Sequence, residues 1–258
     1  MKYFSLENDI DIAYQISGNT AGPKIVLIHG LYLNSDCWKF QLEEFEKSFH
    51  ILRFDLRGHG RTTKPKQKFK IRNYVDDMKE LLDYLGWTEE LYIVGHSLGG
   101  MIALVYSLKN PSQVRKLVVA DTFCFVAQEA VEEVLERVNN NKIEDFAIGI
   151  SERGLIPYDE EVARFVAKLV TDHMTKQDCL TATEASAGFS ICEDIKSLQI
   201  PILVLVGEKD ITTPVWAGKM LHDWLPISEF FVIPDAGHLT ILDHPGEFNN
   251  LVLDFWKK

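Results

Sequence analysis

Residues 91–100, Leu-Tyr-Ile-Val-Gly-His-Ser-Leu-Gly-Gly, place a serine between two glycines, directly after a β-rich run and directly before a helical stretch. A serine hydroxyl is a weak nucleophile in water, so chemistry that uses one needs it held at a fixed, exposed point beside a base. A sharp strand-to-helix turn does this, because Gly95 and Gly99 lack the Cβ atoms that would block so tight a bend. The N-terminus of the following helix would then stabilise negative charge developing near Ser97. A purely structural reading also exists, in which Ser97 caps the helix by accepting a bond from an early amide. The remainder of the chain decides between the two.

A nucleophilic serine needs an imidazole to take its proton and a carboxylate to orient that imidazole. Both must come from the carboxyl ends of later strands to share a rim with Ser97. After the apolar run Ile202–Val206 comes Gly-Glu-Lys-Asp, which puts Asp210 in a short loop before a helix opening at Thr213-Pro214. After Phe230–Ile233 comes Pro-Asp-Ala-Gly-His, which puts His238 in the next such loop. The chain order serine, acid, histidine is the one this kind of turn requires. Asp210 read structurally is an acid at a helix start, and His238 a surface loop histidine. Asp121, ending the run Leu117–Ala120, is a rival orienting acid; Asp235 is a poorer one, since it shares a loop with His238. An oxyanion hole completes such a site. The run Lys24–Ile28 leads into His29-Gly30-Leu31, and the N–H groups of Leu31 and Leu98 are the expected donors, each worth about 3 kcal/mol in a transition state. His29 itself reads as structural, bonded to backbone.

The elements that must position these residues are legible as pattern. Residues 10–16 alternate at period two, as an edge strand with one wet face does. Unbroken β-rich runs follow at Lys24–Ile28, Ile51–Phe54, Leu91–Val94, Leu117–Ala120, Ile202–Val206 and Phe230–Ile233, and strands buried on both faces belong to a mostly parallel sheet wrapped by helices. Between them lie amphipathic helical segments at Ile71–Leu85, ended by Gly86, and at Pro245–Trp256; Met101–Leu108 is apolar almost all round. Residues 123–190 break the alternation and carry two helical stripes, Val126–Val138 and Val162–Met174. This predicts a core domain of residues 1–122 and 191–258 with a helical cap, 123–190, over the strand ends where open parallel sheets bind ligands.

With 258 residues, 46% of them hydrophobic, the chain suits one large α/β domain or such a core with an insertion. A net charge of −11 leaves no basic stripe for phosphates, which excludes nucleic acid as the expected partner. The Lys/Arg-rich stretch 61–72 reads as a solvated loop. Cys37, Cys124, Cys179 and Cys192 show no close pairing and no metal-ligand spacing, and read as thiols in a reducing compartment. With no apolar leader at the N-terminus and no run long enough to span a bilayer, a cytoplasmic location away from membranes is expected. The oligomeric state is not legible.

Taken together, His29-Gly30, Trp38 and Gln41, Asp55-x-Arg57-Gly58-x-Gly60, Gly95-His96-Ser97-Leu98-Gly99-Gly100, Gly207-x-x-Asp210 and Gly237-His238 resemble the α/β-hydrolase family, nearly end to end outside the cap. The nearest likeness is to its cofactor-free esterases, 3-oxoadipate enol-lactonases and perhydrolases. The resemblance implies that Asp55–Gly60 is a structural loop, with no chemistry for Asp55, Arg57 or His59. Serine replaces the nucleophilic aspartate of epoxide hydrolases and haloalkane dehalogenases, Leu98 the halide-binding tryptophan of the latter, and His96 the asparagine frequent in carbon–carbon bond hydrolases.

The expectation is therefore a serine hydrolase of small esters or lactones, with Ser97, Asp210 and His238 as its triad and no metal or organic cofactor. A carbon–carbon hydrolase, a thioesterase, or a slow-turnover ligand receptor on the same fold are the alternatives. In the cap, six Lys/Arg against thirteen Asp/Glu tilt the expected substrate toward a neutral, apolar group, despite Arg137, Arg153 and Arg164. Phe123, Phe125, Phe165, Met174 and Phe189 are pocket-wall candidates that core packing would equally explain.

Overall fold

The computed structural model describes residues 1–6 and 9–258. Its strands are β1 (Lys2–Ser5), β2 (Asp11–Gly18), β3 (Lys24–Ile28), β4 (His50–Phe54), β5 (Leu91–His96), β6 (Val114–Ala120), β7 (Ile202–Gly207) and β8 (Ser228–Ile233). They form one sheet in the order β1-β2-β4-β3-β5-β6-β7-β8. The pairs β1–β2 and β2–β4 are antiparallel, and every other neighbour is parallel.

The unbroken apolar runs are explained by burial on both faces. In β3, Val26 and Ile28 join one core and Ile25 and Leu27 the other; β6 and β7 alternate in the same way. The first core packs beneath α2 (Ile71–Leu85) and α3 (Leu98–Lys109) through Tyr74, Met78, Leu82, Ile102 and Tyr106. The second lies under α1 (Lys39–Phe45) and the C-terminal helix through Phe45, Phe248 and Val252. α2 stops where the stripe ends, at Gly86, whose φ of 67° suits a residue without a Cβ.

Two local expectations change. β2 is not the edge: β1 pairs along its outer side, and Ile12, Ala13 and Tyr14 are buried in succession rather than alternately. Four largely exposed residues at a sheet edge give β1 no periodicity to read. Likewise the 123–190 segment holds four helices, not two: α4 (Gln128–Asn140), α5 (Ile143–Gly154), α6 (Glu160–Thr171) and α7 (Lys176–Glu184). α7 is a short polar helix set by a Thr175–Asp178 capping box, so it carries no apolar stripe. The chain continues through α8 (Val215–Trp224), α9 (Thr240–Asp243) and α10 (Pro245–Lys257).

The cysteine expectation is corrected for two of the four residues. Cys124 and Cys192 form a disulfide, while Cys37 and Cys179 are free and buried. Sequence separation of 68 residues hid the pairing. The bond sits where the helical segment leaves and rejoins the sheet. There the two chains run side by side, Ile191 N–H donating to Cys124 O and Val126 N–H to Phe189 O. With two cysteines paired, the cysteines no longer support a reducing compartment. Among the described residues, no helix is long and apolar enough to cross a membrane.

Denatured without reductant, the protein should titrate two thiols per chain, and four after reduction. Cys124→Ser should lower unfolding free energy by about 2–4 kcal/mol, read by chemical denaturation.

Candidate active site

Ile28 of β3 lies opposite Gly95 of β5, His96 opposite Ala120 of β6, Ala120 opposite Leu205 of β7, and Gly207 opposite Ile233 of β8. That register brings the loops carrying residues 30, 97, 121, 210 and 238 to one rim. Strand order reverses between β3 and β5, so a crevice opens there.

Ser97 occupies the bend between β5 and α3 at φ 52°, a left-handed conformation that costs a non-glycine residue about 1–3 kcal/mol. Its neighbours must be bare. A Cβ on Gly99 would stand 2.1 Å from Ile28 O, and one on Gly95 2.3 Å from Gly99 O. Ser97 N–H donates to Ala120 O at 2.9 Å, and Ser97 O accepts from Thr122 Oγ1 at 2.7 Å, so the strained backbone is held from both sides. The Ser97 side chain makes no cap to α3. Its Oγ lies 3.1 Å from His238 Nε2 instead.

His238 Nδ1 is 2.8 Å from Asp210 Oδ2. The other Asp210 oxygen accepts the amides of Thr212 (2.7 Å) and Thr213 (2.9 Å), and Thr213 Oγ1 donates to Oδ2 at 2.5 Å. Thr213 Oγ1 is also 3.2 Å from His238 Nδ1. Burial alone would raise the Asp210 pKa, but the His238 ring and these three donors hold the carboxyl well below the usual range. Burial pushes the imidazole of His238 the other way from Asp210, whose carboxylate wins, and His238 is raised above its ordinary 6.5.

Asp121 does not reach the His238 ring. It is fully buried at φ 49°, accepts from Gly207 N–H (3.0 Å) and Thr240 Oγ1 (2.5 Å), and lies 3.5 Å from His96 Nε2. His96 Nε2 is in turn 2.8 Å from His238 O. Asp121 thus braces the backbone beneath His238. Burial raises its pKa, as does the nearby Asp210 charge, against the bond from His96. Asp235 points away, to an exposed ion pair with Lys209 at 2.5 Å.

The expected oxyanion loop lies against the serine: a Cβ on Gly30 would stand 3.3 Å from Ser97 Cβ. Neither the Leu31 nor the Leu98 amide is taken up by a hydrogen bond among the described residues. His29 fixes this loop. Its Nε2 accepts Leu56 N–H at 2.9 Å and its Nδ1 donates to Gly30 O at 2.8 Å, with burial lowering its pKa to about 4 and keeping it neutral. Asp55 closes the same lock by accepting the amides of Ser35 and Arg61, both at 2.8 Å.

Two cavities meet at Ser97 and share Leu31, Val134 and Thr212. One, of about 140 Å³, is apolar, lined by Leu98, Met101, Phe123, Val126 and Val131. The other, of about 130 Å³, is lined by His238, Tyr32, Phe146 and Ile150, and also by Arg137 and Arg153. Of the aromatic and methionine candidates, Phe123 lines the first cavity, Phe125 stacks on Phe123, Phe165 lies under Lys39, and Met174 packs in a core with Tyr32. Thr213 and the inward arginines are the site residues that sequence reasoning missed or set aside. The Asp-x-x-Thr spacing from 210 to 213 was the available signal for the first; net charge concealed the second. Among the described residues, no three His, Cys, Asp or Glu side chains converge on a metal position.

Residues 23–245 match the model of the alpha/beta hydrolase fold family, and the chain belongs to that family. It is 24% identical to 3-oxoadipate enol-lactonase 2 of Acinetobacter baylyi over 95% of this chain and 92% of the relative. It is 28% identical to the pimeloyl-[acyl-carrier protein] methyl ester esterase of Nitrosomonas europaea, over 92% and 96% of the two chains. The enol-lactonase structure from Burkholderia xenovorans superposes with a TM-score of 0.91 at 22% identity, covering 100% of each chain.

A depressed Asp210 contributes stability that is present above the ordinary carboxylate range and lost as pH falls through its folded value. A raised His238 contributes stability present below its unfolded value and lost as pH rises through the folded one. The pair should therefore stabilise most between about pH 4 and 6.5. The stability gap between wild type and Asp210→Asn, read by urea denaturation, should be widest in that window and narrow on either side.

Proposed function

We propose that this chain is a serine hydrolase that cleaves small carboxylic esters and lactones through an acyl-enzyme. The observation that carries the reading is the unbroken chain from Ser97 Oγ through His238 to Asp210, at 3.1 and 2.8 Å. Relatives named as an enol-lactonase and a methyl ester esterase support esters and lactones as the substrate class.

As Ser97 Oγ attacks the carbonyl carbon, His238 Nε2 takes its proton, and the cation so formed is stabilised by Asp210. Charge gathering on the carbonyl oxygen is received by the Leu31 amide, after β3, and by the Leu98 amide at the start of α3. His238 then gives its proton to the leaving oxygen, and the ester or lactone C–O bond breaks. A water deprotonated by His238 attacks the acyl-serine, and the acid product leaves with Ser97 restored. Thr213 holds the Asp210 carboxylate toward Nδ1, which keeps the Nε2 lone pair on the serine side. Asp121 and His96 do so one layer below, through the His238 carbonyl.

Ser97→Ala should lower hydrolysis of 4-nitrophenyl acetate by about 10⁴-fold or more while leaving the thermal midpoint within a few degrees. Activity should rise with pH as His238 loses its proton, with a midpoint above 6.5 because Asp210 holds that proton. A rate independent of pH from 5 to 8 would count against the mechanism.

A further inference from the structure

The acidic surface of the helical segment contrasts with the cavities beneath it. None of the residues lining either cavity at Ser97 is acidic, and the thirteen Asp/Glu of 123–190 lie elsewhere, eleven of them exposed. Two of the six cations of that segment, Arg137 on α4 and Arg153 on α5, line the cavity that holds His238.

Both are less closely paired than four other arginines of this molecule. Arg53, Arg61 and Arg164 each have a carboxylate within 3 Å, and Arg57 is bonded twice to Asp77. Among the described residues Arg137 has no carboxylate at ion-pair distance, and Arg153 reaches only the exposed Glu133, at 4.0 Å. Burial and the adjoining Arg153 charge both work against the Arg137 cation. Two like charges kept together beside a cavity cost free energy that an anion between them would recover. Their placement is also built. The Arg137 guanidinium lies 6.0 Å over the Phe146 ring, Phe146 meets Tyr32 edge to face at 5.1 Å, and the Tyr32 hydroxyl is tied to Thr183 Oγ1 at 2.5 Å. Arg164 is excluded: it is exposed and paired with Glu160 at 2.6 Å.

We propose that Arg137 and Arg153 form a carboxylate-binding subsite, and that the substrate is an ester or lactone carrying a carboxylate apart from its scissile carbonyl. This names the substrate class for the hydrolase reading above and rests on it for turnover, though not for binding. It replaces the neutral substrate expected from net charge. The second, apolar cavity would receive the uncharged part of the molecule, since both open onto Ser97.

Two matched pairs test it: 4-nitrophenyl hydrogen adipate against 4-nitrophenyl hexanoate, and 3-carboxyphenyl butyrate against phenyl butyrate. Wild type should favour the charged member of at least one pair. Arg137→Gln/Arg153→Gln should lose about 10- to 100-fold in kcat/KM on that member, with little change on its neutral partner. Arg137→Lys/Arg153→Lys, which keeps the charge, should retain part of the preference and guards against a folding defect in the Gln pair. Equal hydrolysis within both pairs, or a preference that survives both Gln substitutions, overturns the subsite. Calorimetry of adipate binding to Ser97→Ala separates the two readings. Arginine-dependent binding with no ester turned over by wild type removes the hydrolase and leaves the subsite; turnover with no adipate binding does the reverse.

Discussion

The constraint on which the rim depends is the contact between the first turn of α3 and the end of β3. Gly99 brings its backbone so near the Ile28 carbonyl that no side chain fits between them. Everything at the rim follows from that approach. It forces Ser97 into its left-handed bend, turns the start of α3 toward the β3–β5 crevice, and sets the Leu31 loop against the same serine. A parallel sheet whose order reverses at this point leaves the crevice open. The two glycines let one helix enter it end-on, and the cost of the strained serine is met by the bond it donates to Ala120 O and the one it accepts from Thr122.

A second layer of polar groups makes the first rigid. Asp55, His29 and Leu56 lock the β3 and β4 loops to one another; Asp121, Thr240, His96 and Gly207 tie the ends of β5, β6 and β7 to the His238 loop. These side chains are buried, and a buried polar group is tolerable only when bonded. Their mutual satisfaction therefore fixes the geometry above them. The like sign of Asp121 and Asp210 is the tension in this arrangement. It is managed by unequal surroundings: Asp210 collects three donors and a neighbouring imidazole, whereas Asp121 is deeper and its carboxyl is pushed upward.

Much of this was legible in the sequence because chemistry and backbone coincide. A strand buried on both faces must be apolar throughout, so β3, β5, β6 and β7 announced themselves, and the short loops after β5, β7 and the half-buried β8 left few places for Ser97, Asp210 and His238. Where periodicity is absent, sequence reasoning fell short: β1 is short and exposed, and α7 is polar. Pairings between distant residues were also hidden, as with Cys124 and Cys192. The reading of charge is the most instructive. Net charge sums over a surface, whereas a pocket samples the few residues that turn inward, and here Arg137 and Arg153 oppose the total.

The junction at Cys124 and Cys192 has a wider consequence. With Cα atoms 5.0 Å apart, the bridged pair makes the entry and exit of the four-helix segment almost a single point on the sheet. A segment attached so narrowly can be lengthened, shortened or exchanged while its anchorage stays put. Ser97, Asp210 and His238 belong to the floor and much of the cavity wall to the roof, so mutation can alter one without rebuilding the other.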